Sequence, residues 1–299
     1  MIELVSLFDL TEKNLLNQIA DSIPKIQGEI NNKKIIFLSC ISKDLPTKFR
    51  EGLSIVVSSK SSAGKSTLIE NCLKPFEKDL FRFTEFTQSF YQRHFKDKSL
   101  NGMILHQEQA EKTNFSGQVK LSIPKFQLSE GKTSYGLSER DKDGKFTDTV
   151  LDVSGFPIYI TSTTNPDIEP QELNRITLLQ SDESEQQTKK ILESILKGYS
   201  NNLDNYDKTS LEELTKLCDI FKDASKQVKD IIIPFQNLLL EKFPKTLEMR
   251  RDIKKILNYT CVIAFIHQKR RKKIRVIENK IIDAFGKTEP SYKFVIIAD

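Results

Sequence analysis

Apolar residues recur every three to four positions across residues 11–28, where Leu15, Leu16, Ile19, Ile23 and Ile26 fall on one side of a helix. Ile35, Ile36, Leu38, Ile41 and Leu45 continue that spacing and suggest a second helix, although Lys34–Ile41 also reads as a buried strand. The pattern then changes. Gly52–Val57 is a short β-branched run before a polar loop, as in a buried strand, and Ser66–Leu73 is helical up to Pro75. Phe81–Phe86 alternates like a strand, Thr87–Phe95 predicts a short helix, and Met103–Leu105 the end of another buried strand. Thr133–Arg140 and Phe146–Val153 flank Lys142-Asp143-Gly144-Lys145; Asp-Gly between alternating segments predicts a hairpin closed by a two-residue type I′ turn. Phe156–Thr161 and Ile176–Leu179 are further strands, and Glu183–Tyr199 with three segments after Thr209 are helices. Strands alternating with helices over roughly 50–180 imply an α/β fold with a parallel sheet and a site at the strand C-terminal ends; roughly 183–285 reads as all-helical.

Composition narrows the class. The chain has 299 residues, 38% hydrophobic, enough for a core, and its 11 Gly and 10 Pro exclude collagen-like or Pro-rich chains. The longest apolar runs, Ile231–Ile233 and Cys261–Ile266, are far short of a membrane span, so no membrane association is expected. The N-terminus, with Glu3 and Asp9, does not read as a signal peptide. Cys40, Cys72, Cys218 and Cys261 are widely spaced and form no CxxC pair, so buried thiols in a reducing cytoplasm are expected rather than zinc or disulfides. The net charge of +5 is uneven: residues 245–280 carry 12 Lys+Arg against three acids. That cluster suits phosphates or a solvated helix face.

The chemistry is concentrated after Gly52–Val57. Ser58-Ser59-Lys60-Ser61-Ser62-Ala63-Gly64-Lys65-Ser66-Thr67 lies between a strand and a helix, the context of a phosphate-binding loop. Backbone N–H groups of Ser61–Thr67 would cradle phosphate oxygens, Lys65 would reach the β- and γ-phosphates, and Ser66 would ligate Mg²⁺. Ser59 stands where the pattern has its first glycine, so the turn is expected to impose its backbone angle on a serine. Met103-Ile104-Leu105-His106-Gln107-Glu108 ends in an acid, as a metal-holding strand does; Glu108 is the candidate for metal binding and for polarising the attacking water, with Glu111 as a fallback. Gln107 replaces the usual first acid. Ser162-Thr163-Thr164-Asn165 ends a neighbouring strand and offers polar groups to a γ-phosphate. Arg175, between a helix and an apolar strand, is placed to serve a neighbouring subunit as an arginine finger.

With these residues in place, the chain resembles the AAA+ helicase-type ATPase domain fused to zinc-finger and Toprim primases of bacteria and mobile elements, a group similar to MCM and superfamily III helicases. The resemblance runs from Asn31–Glu70 through Leu128–Lys132, the Lys142–Lys145 hairpin, Thr161–Thr164 and Asp182–Thr188 to Arg250–Leu257. It implies a three-layer P-loop core with an inserted hairpin and a helical lid. The divisions are an N-terminal helical segment (1–50), an ATPase core (51–182) and a lid (183–299). It further implies ATP and Mg²⁺ as cofactors, a homo-oligomeric ring such as a hexamer, and Thr164 or Asn165 as the γ-phosphate sensor. Arg175 would be the trans finger and Arg250 or Arg251 a second sensor on the lid. Lys132, Lys142 and Lys145 would carry the hairpin's contacts to single-stranded DNA. The implied activity is an ATP-dependent helicase or translocase in DNA replication, with a primase as partner. The alternatives are a nucleotide-gated assembly module with weak hydrolysis, favoured by Ser59 and Gln107, and an unrelated P-loop kinase. Three features depart from the family. Residues 115–128 alternate where a helix is implied, no zinc-finger or Toprim segment is present, and the chain stops at Phe294–Asp299. A fragment or shortened member is the expectation.

Overall fold

The computed structural model describes residues 8–61, 64–85, 87–110, 113, 115–140, 146–200, 204–281 and 288–298. Helix α1 (Leu15–Ser22) buries Leu15, Ile19 and Ala20 and is shorter than the spacing predicts. Its C-cap, Ile23, is extended, as a residue preceding a proline prefers to be. Helix α2 (Ile30–Ser42) settles the ambiguity at residues 34–41: it is a helix buried on all sides from Ile36 to Ser42, so its apolar positions mark no single face.

Strand β1 (Ser54–Ser58) is fully buried and leads into α3 (Lys65–Leu73). There follow β2 (Leu80–Phe83), α4 (Gln88–Phe95) and β3 (Ile104–Gln107). The Thr87 hydroxyl caps α4 by accepting the Phe90 N–H at 3.2 Å. Next come α5 (Lys125–Ser129), β4 (Lys132–Arg140), β5 (Phe146–Ser154), β6 (Ile158–Thr163), α6 (Pro170–Leu173) and β7 (Ile176–Gln180). Five strands form a parallel sheet in the order β2-β3-β6-β1-β7. The pleat sends successive side chains to opposite faces. Ile55, Val57, Ile104 and Ile160 pack into one apolar cluster, and Val56, Leu105 and Tyr159 into another on the far side. This is the α/β fold with a parallel sheet that the alternation predicts, and the three-layer core with an inserted hairpin that the resemblance implies.

The hairpin differs in register. Arg140 lies opposite Phe146, leaving five residues between the strands, whereas a two-residue Asp143-Gly144 turn would place Arg140 opposite Thr147. The connection itself, with Lys142 and Lys145, lies outside the described residues. The alternating stretch before α5 is not a helix: Val119 bridges Thr113 and Ile168, and Val119, Leu121 and Ile123 are all buried in the second cluster. Pro124 then caps α5.

The C-terminal part contains α7 (Glu185–Ser200), α8 (Asp204–Ser225), β8 (Val228–Ile232), α9 (Gln236–Lys242), α10 (Met249–Ile266), β9 (Lys273–Ile281) and β10 (Thr288–Ile297). The four helices match the expectation, but the part is not all-helical. Strands β8, β10 and β9 form a three-stranded sheet in that order. The β-branched residues of Val228–Ile232 and of Lys273–Ile281 favour extended backbone, and the basic run hides their alternation. The first apolar cluster is continuous from α1 and α2 through one face of the large sheet to Leu214 and Phe221 of α8 and Phe265 of α10. A buried ionic group adds to that joint: the Lys43 ammonium, 2% exposed, contacts Asp44 at 2.6 Å and Asp79 at 2.7 Å, and Asp79 also holds Lys222 of α8 at 2.7 Å.

Candidate nucleotide-binding site

The loop from β1 to α3 leaves the C-terminal edge of the sheet between β6 and β7. Gly64 begins α3 with φ +79°, and no atom lies within 4 Å of where its Cβ would be, so the backbone and not crowding demands glycine. Ser59 departs from expectation in the opposite sense. It is not among the residues with left-handed backbone, so the turn places no strain on its side chain. Its N–H donates to Thr163 O at 3.3 Å and its hydroxyl to Ser181 Oγ at 3.4 Å. Ser62 and Ala63 lie outside the described residues.

Lys65 is 8% exposed and folds back into the loop, donating to Ser59 O and Lys60 O at 2.7 Å each. Burial lowers its pKa and nearby Glu183 opposes that shift. Two carbonyls thus hold the ammonium where a phosphate would offer stronger, charged acceptors. Ser61, Gly64, Ser66, Thr67 and Thr164 line a depression of about 350 Å³ beside it. A larger cavity of about 570 Å³ adjoins it and brings Ser66 and Thr67 together with Glu70, Thr84, His106 and Glu108. The hydroxyl of Ser66 and the carboxylate of Glu108 are the oxygen donors that suit Mg²⁺, which takes one or two carboxylates and completes its shell with phosphates and water. Among the described residues there is no cluster of three or more His, Cys, Asp and Glu able to hold a metal by itself.

Strand β3 divides its side chains by parity. Gln107 is 2% exposed and borders the larger cavity, but its amide is engaged within the sheet. Its Nε2 donates to Thr84 O at 3.2 Å and its Oε1 accepts the Tyr159 hydroxyl. The residue in the place of the missing acid is therefore a structural bridge between β2, β3 and β6. Glu108, one step on, is exposed in the cavity; its Oε2 accepts the Thr84 hydroxyl at 3.4 Å and its carbonyl the Ser162 hydroxyl at 2.8 Å. Glu111 lies outside the described residues. His106 shares Glu108's side of the strand. It is 3% exposed, its Nδ1 has no protein partner, and burial together with Arg82 pushes its pKa down to about 4. Sequence reasoning passed over His106 and Thr84; the parity of a histidine two residues before the acid was the available signal.

At the end of β6 the structure separates the two sensor candidates. Thr164 lines the smaller depression, beside Ser61 and Gly64. Asn165 does not join it: its Nδ2 donates to Gly117 O at 3.0 Å and its Oδ1 accepts the Asp167 N–H at 2.9 Å, an Asx turn before Ile168. On the other flank, Glu183 accepts the Lys60 N–H at 2.9 Å, tying the phosphate loop to the segment that enters α7.

The arginines occupy the opposite edge. Strand β7 runs parallel to β1 with Ser54 opposite Ile176 and Ser58 opposite Gln180, so Arg175 lies below the start of β1 while the loop leaves its end. At about 3.3 Å per residue, the five-residue strand separates them by about 17 Å. Arg175 shares a depression of about 480 Å³ with Arg250, Arg251, Lys254 and Lys255 of α10. Lys254 pairs with Glu51 at 3.1 Å, and Lys255 donates to Leu173 O at 3.0 Å. Arg250 and Arg251 have no ion-pair partner among the described residues. Neither they nor Arg175 reach this chain's own phosphate loop. Lys132 is also not at the hairpin tip: it begins β4, at the far end from the connection, and pairs with Asp152 at 3.6 Å. Among the described residues, no helix is long and apolar enough to cross a membrane.

No protein-family model matches the chain, and no curated protein does. Solved structures resemble it at low identity. A full-length MCM homolog from Methanopyrus kandleri is 11% identical with TM-score 0.48, over 86% of this chain and 55% of that one. The active helicase SCCmec type IV Cch is 12% identical with TM-score 0.39, over 88% and 48%. The C-terminal region of NrS-1, in an apo form, is 12% identical with TM-score 0.31, over 99% and 78%. The chain spans about half the length of the first two. Every one of these scores lies below 0.5, so nothing about this chain's chemistry is taken from them.

Proposed function

We propose that this chain is the ATPase unit of an AAA+ helicase or translocase that moves along single-stranded DNA in replication, assembled as a ring in which each ATP lies between two copies. The observation that carries this reading is the division of phosphate-binding groups between two edges of one sheet. Lys65, Ser66, Glu108 and Thr164 stand at one edge, and Arg175, Arg250 and Arg251 at the other. A head-to-tail contact between copies unites the two sets, and such a contact closes into a ring when its rotation permits.

On this reading ATP lays its phosphates over the loop of Ser61–Thr67. Lys65 exchanges the carbonyls of Ser59 and Lys60 for phosphate oxygens. Mg²⁺ held by Ser66 and Glu108 would neutralise charge developing on the transferred phosphoryl group. Glu108 orients the attacking water, Thr164 contacts the γ-phosphate, and Arg175 from the next copy stabilises the charge with Arg250 or Arg251 beside it. Residues 51–182 act as the ATPase core and 183–299 as the lid, with the hairpin lysines Lys142 and Lys145 on DNA. A primase acting alongside and a cytoplasmic location belong to the same reading.

One observation favours a second reading, a nucleotide-gated assembly module with weak hydrolysis. Gln107 is committed to Thr84 and Tyr159, so Glu108 is the one carboxylate that β3 delivers to the metal.

Mixing two inactive variants tests the shared site. Lys65→Ala and Arg175→Ala are each expected to lose DNA-stimulated turnover. In an equimolar mixture, about a quarter of head-to-tail contacts regain both groups and about a quarter of wild-type activity returns. Lys65→Ala that retains full turnover, or a mixture no more active than its components, overturns the proposal. Tight ATP binding without turnover in the wild type selects the assembly module.

A further inference from the structure

The basic segment between α10 and β9 is a built turn. The His267 N–H continues α10 by donating to Ile263 O at 3.0 Å, and the Gln268 and Arg270 N–H groups donate to Phe265 O at 3.1 Å and His267 O at 2.9 Å. Beyond the turn, Lys272 O accepts the Ile297 N–H at 3.0 Å. Lys273 donates to Gln268 Oε1 at 2.8 Å, and its ammonium lies 5.6 Å from the centre of the Phe294 ring. His267 and Gln268 are buried beneath the turn. On this fixed frame Lys269, Arg270 and Lys272 are exposed. Among the described residues, none of these three side chains enters a hydrogen bond or an ion pair. No acid falls between His267 and Ile277. The neighbours register the uncompensated charge: burial lowers the pKa of Arg271 and Arg270 lowers it further, and burial and then Lys269 lower that of Lys273. The carbonyl end of α10 favours cations within its last turn only, and Lys272 lies beyond it, next to β9. The turn also stands apart from the nucleotide groups, because α10, at about 1.5 Å per residue, holds it about 24 Å from Arg250.

We infer that Lys269, Arg270 and Lys272 are a second contact with single-stranded DNA, each meeting a phosphate of the strand. This rests on the reading of the chain as a DNA motor and adds to the hairpin lysines a site on the proposed lid. The run offers cations with no exposed ring and no side-chain acceptor, so it meets the backbone and is indifferent to base sequence, as a motor that moves along any strand requires. From Lys269 to Lys272 there is no apolar residue of the kind that a bilayer surface takes up between cations.

The test uses the full chain with a non-hydrolysable ATP analogue, and fluorescence anisotropy of labelled oligothymidylate and oligodeoxyadenylate over a range of salt. A variant carrying Lys269→Ser, Arg270→Ser and Lys272→Ser is expected to lower the slope of log affinity against log salt by about two, at about 0.7 per phosphate, and to weaken both strands alike. Its ATP affinity stays at the wild-type value. A second variant carrying Lys120→Ser, Lys189→Ser and Lys208→Ser removes the same charge from exposed positions in three other parts of the chain, and is expected to change the slope by less than about 0.5. Lys269→Arg with Lys272→Arg keeps the charge and the wild-type slope. An unchanged slope in the first variant, or equal losses in the first and second, overturns the turn as a site and leaves the motor reading standing. A first variant that keeps its strand affinity but loses the binding of phosphatidylserine vesicles that wild type shows overturns it too, and assigns the turn to an anionic membrane surface. Wild-type protein that binds neither strand overturns the motor reading and this contact with it.

Discussion

Replacing Gln107 by glutamate supplies the acid that the β3 sequence lacks, and pattern matching alone would expect a faster enzyme. The structure predicts the reverse. Gln107 is 2% exposed, and its two amide atoms have opposite duties: Oε1 accepts the Tyr159 hydroxyl and Nε2 donates to Thr84 O at 3.2 Å. In Gln107→Glu, the second oxygen of an ionised carboxylate faces the Thr84 carbonyl, acceptor against acceptor, at a position only 2% exposed. Protonated, the acid donates to that carbonyl and the site is nearly restored. The folded state therefore favours the neutral acid and raises its pKa above the unfolded value of about 4.3. The sign follows: the variant matches wild type below about pH 4 and loses about 1.4 kcal/mol per pH unit above it, until the folded pKa is passed. An acid held neutral to pH 7 costs about 4 kcal/mol there, and more than about 1 kcal/mol is already a large share of a domain's stability. Urea denaturation at pH 5 and pH 8, with ATPase turnover on the same samples, measures this. Glu108→Gln, exposed in the cavity, is the control that loses turnover and keeps the wild-type denaturation midpoint. A Gln107→Glu protein with pH-independent stability and raised turnover would refute the argument, because its side chain would then have left Tyr159 for the metal.

Three further outcomes follow. Ser59→Gly is expected to leave ATP affinity within about twofold by titration calorimetry, since no left-handed angle is being relieved, and to cost about 0.5–1 kcal/mol of stability through the freer unfolded chain. Asp79→Asn removes a carboxylate from the buried Lys43 and from Lys222, while Asp44 remains, and is expected to cost about 2–3 kcal/mol in thermal melts. Burial opposes ionisation of Asp79, but hydrogen bonds from Lys222 and Lys43 outweigh it and lower its pKa, so its contribution is present at neutral pH and is lost on acidification through that lowered value. Glu172 is fully buried, and burial, reinforced by Glu169 against the pull of Lys125 and Arg175, pushes its pKa up to about 7. Wild-type stability therefore falls as the pH rises from about 4.5 toward 7, by up to about 3 kcal/mol, and Glu172→Gln should flatten melting temperatures over that range.

The parallel core was legible because each signal had one physical meaning. A β-branched run, a polar loop ending in Gly-Lys-Ser and a helix read as β1, the loop that follows it and α3. Three things were not legible, each for a stated reason. Helix α2 is buried all round, so its apolar residues mark no face and left a buried strand open beside the helix that their spacing suggests. Strand β8 is five residues long and β9 begins with Lys273 and Arg275 on alternate positions, and a basic alternating strand has the composition of a solvated helix. The site was readable residue by residue but not in its connections. Gln107 looked like a weakened metal ligand because sequence gives no parity against the sheet, and in the structure it is a bridge. Thr164 and Asn165 looked equivalent until the Asx turn claimed Asn165.

The two-edged distribution of phosphate groups has a thermodynamic consequence. At the loop edge Lys65 is satisfied by two backbone carbonyls, a neutral substitute for phosphate. At the far edge Arg175, Arg250 and Arg251 line one depression with Lys254, Lys255 and the carboxylate of Glu51, which Lys254 holds at 3.1 Å. Under the proposed arrangement, a nucleotide engages both edges at once, but only when two copies meet. ATP must then strengthen assembly, and assembly must tighten ATP by the same factor, because the two couplings close one thermodynamic cycle. Arg175→Ala, which leaves the loop edge untouched, should remove that factor from both measurements equally. A coupling factor that Arg175→Ala leaves unchanged would mean that Arg175 does not act on the nucleotide held by the next copy.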